Sequence, residues 1–101
     1  YRLDNLTGNN QSRAMTKLET DNEGVEFEVE LDKVSSGTYT LKVGGVVRGD
    51  IVVRSGNDDG DIEFSDPQED DTALLDFEVK GQLIEVLQGE TVVFSGTFPT
   101  S

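Results

Sequence analysis

Seven consecutive residues, Val25-Glu26-Phe27-Glu28-Val29-Glu30-Leu31, alternate apolar and acidic side chains without a break. Successive side chains of an extended strand point to opposite faces, so as a β-strand this run has one dry face and one wet face. A helix would spread the same residues around its whole circumference. The run therefore commits the chain to a sheet that is half-buried against a second layer. It also predicts Glu26, Glu28 and Glu30 on the solvent side.

The same period recurs along most of the chain. Arg13–Thr20 sets Ala14, Thr16 and Leu18 against Arg13, Lys17 and Glu19, and Thr38–Val43 turns Tyr39, Leu41 and Val43 inward. Val46–Arg54, Asp61–Phe64, Leu75–Val79, Leu83–Leu87 and Thr91–Phe98 read as further strands. Turn residues separate them: Asp21–Gly24, Ser35–Gly37, Asn57–Gly60, Lys80-Gly81 and Gln88–Glu90. Gly44-Gly45 suits a two-residue hairpin, whose central positions need positive φ, and Gly49-Asp50 predicts a bulge. No window sustains a helical period. The expectation is an all-β fold, a single antiparallel Greek-key-like β-sandwich of roughly eight strands, with a small β-barrel as runner-up. One core fits 101 residues. Residues 12–98 form the sandwich, residues 1–11 an N-terminal arm or first strand, and residues 99–101 a tail.

Charge narrows the partners. Twenty-one acidic residues face eight basic ones, for a net charge of −13. Such a surface repels nucleic acid and anionic membranes, which both need a basic footprint. No run is apolar and long enough to insert into a membrane. The charge suits an ion-rich medium, which points to an extracellular or cell-surface location, and carboxylates on strands would guard β edges against indiscriminate pairing. Histidine and cysteine are both missing. That removes disulfides, thiolate metal sites and thiol catalysis, and leaves little for acid–base chemistry, so no enzyme is expected.

Two acidic clusters are candidate ion sites. Asn57, Asp58, Asp59 and Asp61 surround Gly60 and offer the hard oxygen ligands that calcium takes. An EF-hand would also need a distal bidentate Glu and flanking helices, and an ordinary solvated turn uses the same residue types. Asp66, Glu69, Asp70 and Asp71 form a second acidic loop, one strand away and so at the opposite end of a sandwich. Carbohydrate binding lacks the usual aromatic platform: there is no Trp, Phe27 and Tyr39 face the core, and only Tyr1 and Phe98 are left as free rings. Asn5-Leu6-Thr7 and Asn10-Gln11-Ser12 match the N-glycosylation sequon.

The arm offers a route to assembly. Tyr1, Leu3 and Leu6 are its only apolar anchors, and such a segment can add as a strand to the open edge of a neighbour. Repeated head to tail, that contact propagates into a filament. A frayed terminus, or the domain's own first strand, accounts for the same residues.

The run Val34-Ser35-Ser36-Gly37-Thr38-Tyr39-Thr40-Leu41-Lys42-Val43 resembles the Gly-Thr-Tyr-Thr-Leu stretch of small secreted bacterial β-sandwich modules. The acidic strand before it and Gly44-Gly45-Val46-Val47 after it are similar in layout. The resemblance implies a surface or matrix module, often one of several in tandem, and brings no catalytic residues with it. The functional expectation is a structural or adhesive unit that associates with itself or with another surface protein by strand addition. The alternative is a calcium-dependent ligand- or carbohydrate-binding module.

Overall fold

The computed structural model describes residues 1–100, and the last residue of the expected tail lies outside them. Nine strands and, among the described residues, no helix make up the molecule: β1 (Asp4–Asn5), β2 (Arg13–Asp21), β3 (Gly24–Asp32), β4 (Gly37–Val43), β5 (Val46–Val53), β6 (Asp59–Asp66), β7 (Ala73–Leu74), β8 (Leu83–Gln88) and β9 (Thr91–Thr97). Sheet I has the order β2-β3-β6-β7, and sheet II the order β1-β9-β8-β4-β5. The chain changes layer after β3 and again after β5, so β6 returns to lie beside β3, as in Greek-key sandwiches. Every ladder is antiparallel except the two-residue pairing of β7 on β6. The two sheets stay open at their edges, so this is a sandwich and not a closed barrel.

Apolar sides of both sheets meet between the layers. Phe27, Val29 and Leu31 from β3 and Phe64 from β6 face Leu41 and Val43, Ile51 and Val53, Ile84 and Val86, and Phe94, all almost without solvent contact. Phe27 and Phe64 stack at 6.1 Å between centroids, and Phe77 stands edge-on to Phe64 at 5.1 Å. Burying each such ring is worth about 1.5–3 kcal/mol. Gly60 makes the layer crossing possible: a Cβ there would sit 2.9 Å from the Val52 carbonyl oxygen.

Three expectations need correction. The run Leu75–Val79 does not form a strand. Leu75 and Val79 are buried and Phe77 half-buried, as the alternation required, but beyond the Leu75 N–H, which donates to the Ser65 carbonyl at 2.9 Å, no ladder forms along that stretch among the described residues. Its place in sheet I is taken by the short β7 just before it. β6 starts two residues earlier than expected, so Asp59 and Gly60 belong to a strand instead of a turn. Third, the β4–β5 ladder slips at Arg48, one residue before the predicted bulge, because Leu41 pairs with Gly49 and Lys42 with Val47. The bulge aims Arg48 over the Phe77 ring, 4.4 Å from its centroid, and leaves its Nε buried without a hydrogen-bond partner. A second slip, at Val93 in β9, places Val93 and Phe94 both in the core despite their adjacency.

Strand directions define two poles. Loop 6–12, the β3–β4 and β5–β6 connections and the β8–β9 turn gather at one. The β2–β3 and β4–β5 hairpins and the acidic loop 66–72 gather at the other. The Asn57–Asp61 cluster and the Asp66–Asp71 loop are thus separated by the length of β6.

Candidate functional site

The outward side of sheet I concentrates the acid. Its register sets Arg13, Asp32 and Asp59 in one rung across β2, β3 and β6, then Met15, Glu30 and Asp61, then Lys17, Glu28 and Glu63, then Glu19, Glu26 and Ser65. Each rung brings two carboxylates directly opposite one another. Such like-charge pairs are destabilising by about 0.2–1 kcal/mol each. Arg13 bonds Asp32 and Lys17 bonds Glu19, both at 2.6 Å, but these pairs are well exposed and worth about 0–1 kcal/mol each. The strain shows in the acidities. Partial burial, then Glu63, Asp61 and Glu30, hold the Glu28 carboxyl above its usual range. Glu26 is raised as well, first by the charge of Glu69 and then by burial and a shared hydrogen bond with it. The bond to Glu19 raises Lys17.

Of the four residues expected to hold calcium, Asn57, Asp59 and Asp61 line one concavity together with Glu30 and Arg54, and Asp58 is not among its lining residues. Asn57 closes a turn, its N–H donating to the Arg54 carbonyl at 2.9 Å. Asp58 turns towards Lys33, Nζ to Oδ2 3.4 Å. Asp59 and Asp61 stand on the outer face of β6, where Asp61 joins Glu28 and Glu63 instead, their nearest oxygens within 4.8 Å of one another. These three carboxylates could hold a hard cation. They supply only part of the six to eight oxygens that calcium takes. Glu28 and Glu63 escaped the sequence reading because the rung depends on β6 lying beside β3, which no local pattern reveals.

The N-terminal segment is the domain's own first strand. Residues 1–3 run along β2, with the Thr16 N–H donating to the Tyr1 carbonyl at 2.7 Å and the Leu3 N–H to the Ala14 carbonyl at 2.9 Å. The chain then crosses to sheet II, where Asp4 and Asn5 pair with β9. Leu3 is 2% exposed within the core, and Tyr1 meets Phe98 edge-on at 5.8 Å. Of the three predicted assembly residues, Leu6 is the most open to solvent. Of the two sequon asparagines, Asn5 uses its amide internally, donating to the carbonyls of Asn9 at 2.6 Å and Ser12 at 2.9 Å, while Asn10 is exposed.

A different edge is open. β5 is eight residues long and, among the described residues, pairs only with β4 and has no strand beyond it in sheet II. Val46, Val47 and Val52 on it are 49%, 56% and 55% exposed. The acid expected to guard strand edges stands mainly on β3 and β6, inside sheet I.

A polar concavity lies at the pole where loop 6–12 meets the β3–β4 connection and the β8–β9 turn, a cleft of about 500 Å³. Side chains of Asn9, Gln11, Lys33, Asp58 and Gln88 line it above Val34, Val93 and Tyr39. The Tyr39 hydroxyl donates to the Ser35 carbonyl at 2.7 Å. The long sequence separation of these residues hid the cleft from the sequence reading. No model of a known protein family matches the chain, and no curated protein matches it either.

Proposed function

We propose that the protein is a non-enzymatic structural or adhesive module of the cell surface or extracellular space, associating with further copies of itself, or with another surface protein, by strand addition along β5. The observation that carries this reading is the open, valine-bearing edge of β5. Unpaired backbone groups beside exposed apolar side chains are a template for another strand. The missing histidine and cysteine favour a role without catalysis. The acid excess suits an ion-rich exterior, as does the resemblance of the central run to secreted modules. Pairing β5 with β5 closes a two-fold dimer, whereas pairing β5 with a different edge propagates into a fibre.

Calcium-dependent binding, the alternative, would act through Glu28, Asp61 and Glu63. On a flat face these three would leave an ion mostly hydrated, so the structural reading stands ahead of it. Analytical ultracentrifugation with electron microscopy tests the proposal. Association that rises with concentration and is lost in a Val47→Lys, Val52→Lys double variant is the expected result. A monomer at all concentrations, or association indifferent to those substitutions, would overturn it.

A further inference from the structure

The polar cleft at the loop pole goes beyond self-association, because its chemistry suits a small ligand. Four segments far apart in sequence are tied together there: loop 6–12, the β3–β4 and β5–β6 connections and the end of β8. The Ser12 hydroxyl donates to the Lys33 carbonyl, the Val34 N–H donates to the Asp58 carbonyl at 3.0 Å, and the Gln88 amide reaches the Ser35 hydroxyl at 3.4 Å. Loop 6–12 is braced from within by Asn5 and by the Asn9 side-chain oxygen, which accepts the Gln11 N–H at 3.0 Å. The walls are therefore set before anything binds, which lowers the ordering cost of binding. The volume of about 500 Å³ falls in the range of small-molecule sites, roughly 300–1,000 Å³.

The lining selects the class of ligand. Amide side chains both donate and accept, so Asn9, Gln11 and Gln88 match hydroxyl groups, which do the same. The Gln11 side-chain amide has no hydrogen-bond partner among the described residues. Lys33 and Asp58 are the two charged residues lining the cleft, and at 3.4 Å each offsets the other. That pair leaves the cleft near neutrality on a molecule of net charge −13, and it disfavours a charged ligand of either sign. Val34 and Val93 supply an apolar floor for C–H groups. We infer that this cleft binds an uncharged, hydroxyl-rich ligand, a mono- or disaccharide unit, with Gln11 and Gln88 as its principal hydrogen-bonding side chains.

Nuclear magnetic resonance titration of the full chain with glucose, galactose, mannose, N-acetylglucosamine and cellobiose tests this, with glucuronate as the charged comparison. At least one uncharged sugar should shift the resonances of Gln11, Val34, Ser35 and Gln88, with a dissociation constant on the order of millimolar. The double variant Gln11→Ala, Gln88→Ala should weaken that binding about tenfold, the loss of two hydrogen bonds. Both side chains are exposed, Gln11 in loop 6–12 and Gln88 at the end of β8, so the fold survives their truncation, and Asp70→Asn at the opposite pole should change nothing. An immobilised glycan array separates a polymer-borne unit from a free sugar, and binding by either supports the inference. Silence of all the uncharged sugars in both formats would overturn it. So would binding unaffected by the double variant, or a preference of about tenfold or more for glucuronate over glucose.

Discussion

The two outer faces of this sandwich are built on the same pleat and carry opposite chemistry. Sheet I presents paired carboxylates in four successive rungs. Sheet II presents Thr38, Thr40, Val47, Val52 and Thr97, and its Lys42 stands directly opposite Glu85. Repulsion thus accumulates on one face, whereas no two carboxylates stand directly opposite one another on the other. Solubility alone would have been served by spreading the acid over both. The contrast shows that sheet I is held in place by what lies beneath it; the strand addition proposed above would use the edge of sheet II, at β5.

The largest expected effect tests the first half of that statement. Phe27 lies under the acidic rungs and touches the Phe64, Phe77 and Phe98 rings at 6.1–6.3 Å between centroids. Phe27→Ala should lower unfolding stability by about 3–5 kcal/mol, a large share of the roughly 5–15 kcal/mol of a domain. Urea denaturation measures it. A loss below about 1 kcal/mol would mean that the dry side of β3 does not outweigh the repulsion above it.

How much of this could be read in the sequence follows from the range of each cause. The face that β3 turns to the core is a local property, and Val25–Leu31 declared it. Leu75–Val79 declared its dry side equally well, but a ladder also requires a neighbour, and the neighbour is a matter of topology. The same limit hid the rungs: Glu28, Asp61 and Glu63 meet only because the chain leaves sheet I after β3 and returns to it at β6. Asn57–Asp61 looked like a turn because Asn, Asp and Gly favour turns. Asp59 and Gly60 instead pair with Asp32 and Leu31 on β3 and so belong to a strand, while Asn57 keeps its turn. Leu3 stood out as an apolar anchor of the arm, and its partners are in this chain's own core.

A smaller effect contrasts the two faces directly. Each like-charge rung costs about 0.2–1 kcal/mol, so Glu28→Gln with Asp61→Asn should raise the melting temperature at low ionic strength. Glu85→Gln on sheet II removes the charge opposite Lys42 and should lower it slightly. Sodium chloride, which shortens the screening length from about 30 Å at 0.01 M to about 3 Å at 1 M, should stabilise the native protein and do less for the sheet I variant. Calcium chloride at equal ionic strength separates screening from a bound ion. An extra gain present in the native chain and absent from the variant requires binding at Glu28 and Asp61. If neutralising the two faces has the same effect, the contrast between them fails.

The smallest effect is a pH dependence whose sign is set by sheet I. In the folded chain Glu26 and Glu28 hold their protons more tightly than the ordinary carboxyl value of 4.5. The charged groups facing Glu28 are Glu63 and Asp61 on β6, Glu30 on its own strand and Lys17 on β2; those facing Glu26 are Glu69, Glu19 and Asp21. Only Lys17 opposes the upward shift. A group with a raised folded value binds more protons in the native than in the unfolded state between the two values, so stability falls as pH rises through that interval. The chain should therefore gain stability as pH is lowered from neutrality through the raised values, with the contribution of these two groups complete below 4.5. Melting curves across that range measure the slope. Glu26→Gln with Glu28→Gln should flatten it, while Glu85→Gln should leave it in place. Melting temperatures that fall on mild acidification, or a slope that survives the sheet I variant, would assign the pH response to carboxyls elsewhere and remove the acidic rungs as its source.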